Sequence, residues 1–171
     1  MSDFLNVIDR RNSVRSYSDK PLPEDLCRAV IEAGLKAPTA ANKQELHFTV
    51  VGKDDPVQAE IQKDMNPNAT NSFFYNAPVT VYISGDESFK WHALDAGIAV
   101  ENMHLAAEAL GLGSVILGCM ESVLHGEKKD EYAKKLGFPE GYTYEIAIAV
   151  GYAEATKEPH TFDFDKNVTV L

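Results

Sequence analysis

Cysteine is nearly absent from these 171 residues: Cys27 and Cys119 are the only two, too few for a disulfide framework and too far apart for a metal knuckle. Both read as reduced, buried thiols. His47, His92, His125 and His160 show no ligand spacing, so no metal site is expected. No Ser-His-Asp set stands out, and no ribose-reading glycine motif of the dinucleotide type is present. No apolar run approaches the eighteen or so residues of a membrane span, and no basic stretch leads into an apolar one at the N-terminus. The chain is therefore expected to be cytoplasmic. Positive charge is also in deficit. A formal charge of −10 and a pI near 4.9 leave no net basic face for nonspecific binding to nucleic acid or anionic membranes. Neither repeats nor polar low-complexity tracts occur.

What remains is an ordinary globular composition, 44% apolar and 25% charged, at a length suited to one domain over residues 1–171. Against the acidic background, three of the four arginines fall within Arg10-Arg11-Asn12-Ser13-Val14-Arg15. Guanidinium forks match phosphate or carboxylate oxygens, so the cluster asks for an anion. The plainer alternative is helix-end charge favouring the carbonyl-rich C-terminus of an opening helix.

Periodicity predicts helices from Asp3 to about Arg11, from Glu24 to Gly34 or Ala37, from Asp55 to Met65 (weakly), from His92 to Leu110 and from Glu127 to Leu136. The alanine-rich 92–110 segment reads as mostly buried, and the lysines of 127–136 as a solvated face. Strands are predicted over 47–51, 79–83 (ended by Gly85 and Asp86), 114–117 and 144–150. The segments 37–44 and 66–76 read as irregular. The tail from Ala153 is expected to be extended, with Phe162, Phe164, Val168, Val170 and Leu171 needing a surface to cover. Strands separated by helices indicate an α+β or α/β sandwich.

An ordered series of short motifs sharpens this. It comprises Arg11-x-Ser13-x-Arg15 with Tyr17; Ala37-Pro38-Thr39, Asn42, Gln44 and Phe48; and Ala77-Pro78-Val79. Asp95 follows, on a helix running into Ala109-Leu110-Gly111-Leu112-Gly113-Ser114, then Ile116-Leu117-Gly118 and Val150-Gly151-Tyr152. From Phe4 to about Tyr152 the series resembles the nitroreductase family. The resemblance implies an α+β fold, a three-layer α/β/α sandwich with a mainly antiparallel central sheet, in a homodimer holding FMN at the subunit interface. Residues 153–171 would be a C-terminal extension packing on the partner subunit.

The resemblance also implies site residues. Arg11, Ser13 and Arg15 would hold the FMN phosphate, with Asn12 reaching the phosphate or the ring. Pro38, Thr39, Ala40 and Asn42 would approach the flavin of the other subunit, and Asn71 its pyrimidine end. Ile116, Leu117 and Gly118 would line one ring face and offer a backbone N–H near N5. No side chain is expected to be catalytic, because flavin N5 carries the hydride. The implied activity is NAD(P)H-dependent, ping-pong reduction of a small organic acceptor of nitroaromatic or quinone type. The alternatives are a flavin store or sensor without turnover, or a flavoenzyme of the same fold performing dehalogenation, flavin fragmentation or azoline oxidation. Two departures stand out. The tail offers Lys157, His160 and Lys166 where many members carry a basic pair with arginine, and 51–91 is brief for an added lid. Asp95, Glu101, Asn102 and His104 read as structural polar groups of a buried helix.

Overall fold

The computed structural model describes residues 3–155 and 157–171. Helix α1 (Asp3–Arg10) opens the chain, followed by α2 (Glu24–Leu35), a 3-10 turn (Ala40–Asn42) and strand β1 (His47–Gly52). Next come α3 (Pro56–Met65), β2 (Val79–Asp86), α4 (His92–Ala109), β3 (Gly113–Leu117), α5 (Glu121–Leu124), α6 (Lys129–Lys135), β4 (Tyr142–Gly151) and α7 (Phe164–Asn167). The four strands form one antiparallel sheet in the order β1-β2-β4-β3.

Side chains alternate across the pleat, so each strand serves two cores. Tyr82, Val115, Leu117, Ala147 and Ala149 face Val57, Ile61, Leu124 and Tyr132 from α3, α5 and α6. Val81, Ile83, Ile148 and Val150 face Val30 of α2 and Ala96, Val100, Met103 and Ala107 of α4. The result is the expected α/β/α sandwich. Gly34 permits the close approach of α2 to α4, since a Cβ there would meet Met103 Cγ and Sδ at 2.9 Å.

Several predicted details change in the folded chain. β2 runs on through Gly85 to Asp86, because a register shift after Ile83 lets both residues keep partners on β4. The weak 55–65 helix forms because Asp55 caps it, accepting from Val57 N–H at 3.0 Å, with Pro56 in its first turn. The α6 lysines are not merely solvated: Lys128 reaches Asp64 at 2.6 Å, Lys129 pairs with Glu87, and Lys135 with Glu60 and Glu131. Cys27 is only half-buried and Cys119 is exposed, contrary to the expectation of two buried thiols. The α4 helix buries one side only: Asp95, Ala96, Ala99, Val100, Met103 and Ala107 face inward, while Leu94 and Gly97 lie open on the other.

After β4, Ala153 bridges to Tyr17, and the described residues beyond it are exposed. The tail is not wholly extended, because Asp163 caps the short α7 by accepting from Lys166 N–H. Phe162 is 80% exposed and Val170 85%.

Gly151 lies where the tail leaves the sheet, and a Cβ there would meet Pro78 Cδ at 2.5 Å and Tyr17 Cδ1 at 3.1 Å. Overpacking of this kind typically costs about 1–3 kcal/mol. Gly151→Ala is expected to lower the melting temperature by about 2–10 °C in scanning calorimetry; an unchanged value would mean that Pro78 and Tyr17 yield freely.

Candidate functional site

The arginine segment leaves α1 and crosses the end of the sheet. Ser13 bridges Ser114 in parallel, Val14 N–H donates to Ser114 O at 3.0 Å, and Ser18 N–H donates to Tyr152 O at 3.0 Å. Val14 and Tyr17, three residues apart, both turn into the same core, while Arg15 between them is exposed. Tyr17 Oη donates to Val14 O at 2.9 Å and reaches Ala149 O at 3.3 Å, tying the segment to β4. Gly113 allows this approach: a Cβ on it would meet Val14 Cγ2 at 2.8 Å.

The three arginines then separate. Arg10, in the last turn of α1, is exposed and pairs with Glu108 at 3.0 Å, the ordinary role of a helix-end base. Arg11 is half-buried, with Nε 3.7 Å from Glu101 Oε1. A pair that long and that open is worth at most about 1 kcal/mol, so it leaves the guanidinium available to a stronger anion. Arg15 is exposed and lies over the Tyr75 ring, 5.9 Å from its centroid, which brings the 66–76 segment to the arginines. Asn71 belongs to that segment and is exposed.

His104 of α4 anchors the segment from beneath. It is buried, its Nε2 lies 3.2 Å from Asn12 O, and its Nδ1 lies 3.7 Å from Glu101 Oε2. Burial holds the imidazole below its ordinary pKa, with nearby Arg11 adding to the effect. A neutral ring can donate Nε2–H to the Asn12 carbonyl. Around this junction Asn12 Oδ1, His104 Nδ1 and Ser114 Oγ are buried without a hydrogen-bond partner. Unpaired buried polar atoms are costly, and three of them beside two arginines suit a polar ligand.

Farther along β3 the character changes. Gly118 lies four residues beyond Ser114, about 13 Å in a strand, and is exposed. A Cβ on Gly118 would meet only Ile146 Cδ1, at 3.8 Å, so the space over its backbone is open. Ile116 is half-buried on the α4 side. Leu117 turns into the opposite core, pairs with Ala147 of β4, and its carbonyl accepts Tyr144 O–H at 2.7 Å. The site thus has an anion-seeking end and a flat, open end.

Pro38, Thr39, Ala40 and Asn42 lie elsewhere. Ala40 N–H is held by Asp95, in the first turn of α4, whereas the arginine segment is tied to Glu101, His104 and Glu108 farther down the helix. Asp95 and His104 are nine residues apart, about 13 Å along the axis. Pro38 and Asn42 are exposed, and Thr39 is half-buried with its Oγ1 accepting Gln44 N–H. Sequence reading missed Tyr75 and Ser114 as neighbours of the arginines. Nothing local in either residue reports that crossing. Among the described residues no group of three or more His, Cys, Asp or Glu is placed to hold a metal ion, and no helix is long and apolar enough to cross a membrane.

Known proteins share this arrangement. A family model described as "Nitroreductase family" matches residues 8–67 and 54–152. A protein of Methanothermobacter thermautotrophicus, provisionally named NADH dehydrogenase/NAD(P)H nitroreductase, is 30% identical over 96% of this chain and 85% of its own. One of the same name from Archaeoglobus fulgidus is 29% identical over 95% and 92%. Among solved structures, a nitroreductase with bound FMN from Desulfitobacterium hafniense superposes with a TM-score of 0.88 at 27% identity, over 100% of this chain and 99% of that one. A nitroreductase with bound FMN from Bacteroides fragilis gives the same TM-score and identity, over 100% of both chains.

The buried His104 makes stability depend on pH in a defined direction. Its folded-state pKa lies below the ordinary 6.5, so as pH falls through 6.5 the unfolded chain takes up more protons and stability is lost. Between about pH 7.5 and about pH 5.5, the unfolding free energy from urea titration should fall further for the wild type than for His104→Gln, by on the order of 1 kcal/mol. Carboxylates contribute equally to both proteins, so equal losses would remove His104 as the cause.

Proposed function

The chain belongs to the nitroreductase family, and from that premise we propose that it is an FMN-dependent oxidoreductase that uses NAD(P)H to reduce a small organic acceptor of nitroaromatic or quinone type. The observation that carries the reading is the single strand β3, with Arg11 and Arg15 presented at Ser114 and an open glycine face at Gly118. Bound FMN would supply the redox chemistry, hydride transfer between the nicotinamide donor and the second substrate.

The residues present fit such a cofactor. Arg11 and Arg15 hold its phosphate, with Ser13 and Asn12 beside them, and the partnerless Ser114 Oγ marks unused hydrogen-bonding capacity at that end. Ile116 and the backbone of Leu117 and Gly118 line one face of the ring, where the Gly118 N–H is free of any Cβ crowding. Asn71 faces the pyrimidine end. Residues of this chain thus bind, orient and shield, and none needs to act as acid, base or nucleophile. The tail of this chain places no arginine at the phosphate, so the grip rests on the two arginines of the N-terminal segment.

We infer a homodimer, with each site completed by Pro38, Thr39, Ala40 and Asn42 of the other copy. Their tether at Asp95, far along α4 from the arginine segment, supports contribution to a second site. Apolar surface supports it too. Leu94 is 56% exposed on α4, Phe4 61% on α1, and the tail of residues 157–171 presents Phe162, Phe164 and Val170 to solvent. A second copy covers such surface at a gain of roughly 25 cal/mol per Å². The 153–171 extension is assigned this role, and the small acceptor enters the cleft over Gly118 of a protein placed in the cytoplasm.

Purified protein is expected to show a flavin spectrum that bleaches on anaerobic addition of NADH or NADPH and recovers with a quinone. A flavin that stays oxidised would favour a storage or sensing role. Arg11→Ala with Arg15→Ala should weaken FMN binding at least about a hundredfold while far-UV circular dichroism is retained, since each charge-assisted bond carries about 1.5–3 kcal/mol. Retained cofactor at wild-type affinity would overturn the phosphate assignment. Light scattering should give twice the chain mass; a monomer that binds FMN tightly would contradict the shared site.

A further inference from the structure

The loop that follows α2 is held in a conformation its residues do not favour. Ala41, Asn42 and Gln44 all have φ of 53°, in the left-handed region where a side chain collides with its own backbone. Each such residue costs on the order of 1 kcal/mol, so the loop persists only if the surroundings impose it.

Local bonds supply part of the constraint. Gln44 N–H donates to Thr39 Oγ1 at 3.0 Å, and Gln44 Nε2 donates to Asn42 Oδ1 at 3.0 Å. Both lie in exposed surroundings where water competes. The third bond is different. Ala40 N–H points between the two carboxylate oxygens of Asp95, at 3.0 and 2.9 Å, and Asp95 is only 1% exposed. A charge-assisted bond out of water is about twice as strong as a neutral one. Asp95 also stands in the first turn of α4, where the helix dipole favours negative charge.

Glu45, at the end of the same loop, is buried beside Asp95 with neither oxygen hydrogen-bonded. Burial, reinforced by the neighbouring Asp95, holds the Glu45 carboxyl above its ordinary pKa.

We propose that Asp95 is a positioning residue of the flavin site, which acts by fixing Ala40 and so holding the strained 39–44 loop in the shape it presents to the cofactor. The inference rests on the functional reading above, in which that loop approaches the flavin of the other copy. Asp95 itself touches no cofactor; it acts through the backbone.

Two readouts test this, and one needs no cofactor. Lys43 lies exposed within the loop, so trypsin reports the loop's opening by cleavage after Lys43, identified by mass. In FMN-free Asp95→Ala this cleavage is expected to accelerate about tenfold, and FMN titrated into the variant should bind about tenfold more weakly than to the wild type. Asp95→Asn, which keeps one acceptor oxygen, should restore both properties part of the way. If Asp95→Ala does not fold by circular dichroism, Asp95→Asn decides, with a threefold change or more expected in each readout. Wild-type values for both in the deciding variant would overturn the proposal. Faster cleavage with unchanged FMN affinity would overturn the link between loop and site, and weaker FMN binding without faster cleavage would overturn the tether as its cause. A wild-type protein that took up no FMN would instead sink the functional reading, while cleavage at Lys43 would still judge the tether.

Discussion

The docking of the Ser13–Ser18 segment across the ends of β3 and β4 is the constraint on which the rest depends. Two backbone bonds, from Val14 N–H to Ser114 O and from Ser18 N–H to Tyr152 O, fix the segment in extended form. Val14 and Tyr17 are sunk in the same core and anchor the segment on either side of Arg15, which is left exposed. The approach is possible only because Gly113 and Gly151 lack the Cβ that would strike Val14, Pro78 and Tyr17. The outward placement of the Arg15 guanidinium is here a product of two glycines and a buried tyrosine.

Helix α4 is the second organising element, and its polar residues are spaced along it by function. Asp95 near its start holds the 39–44 loop, Glu101 and His104 in its second half meet Arg11 and Asn12, and Glu108 near its end neutralises Arg10. The same helix packs Ala96, Val100, Met103 and Ala107 against the sheet. One rigid rod therefore sets the separation between two segments that meet it at residues 10–12 and at Ala40, at least 28 positions apart in sequence. Its rigidity explains how loops with little internal structure keep a defined distance.

Much of this was legible in the chain itself. Apolar periodicity located the five longer helices and all four strands, and the ordered motifs from Arg11 to Tyr152 pointed to the family whose model matches residues 8–67 and 54–152. The errors have physical reasons. Gly85 was read as a stop signal, yet the register shift after Ile83 leaves Gly85 and Asp86 paired with Thr143 and Tyr142 of β4. The lysines of 128–135 are solvated as read, but their ion pairs with Asp64, Glu60 and Glu87 were not legible because those acids are at least 40 residues away in sequence. Cys119 was read as buried from residue type alone, while the turn after β3 leaves it in solvent.

By itself the sequence determined which segments are regular, where charge is concentrated and which small residues permit close approach, because these follow from side-chain chemistry and local period. Only the tertiary structure decided that Arg10 pairs with Glu108 while Arg11 stands by Glu101, that Leu117 serves the core while Gly118 stays open, and that Asp95 holds Ala40. Such outcomes depend on pairings between residues up to about a hundred positions apart, such as Arg10 with Glu108 or Ser13 with Ser114. No local property of either partner encodes them. They arise when the sheet closes its register and α4 packs across it.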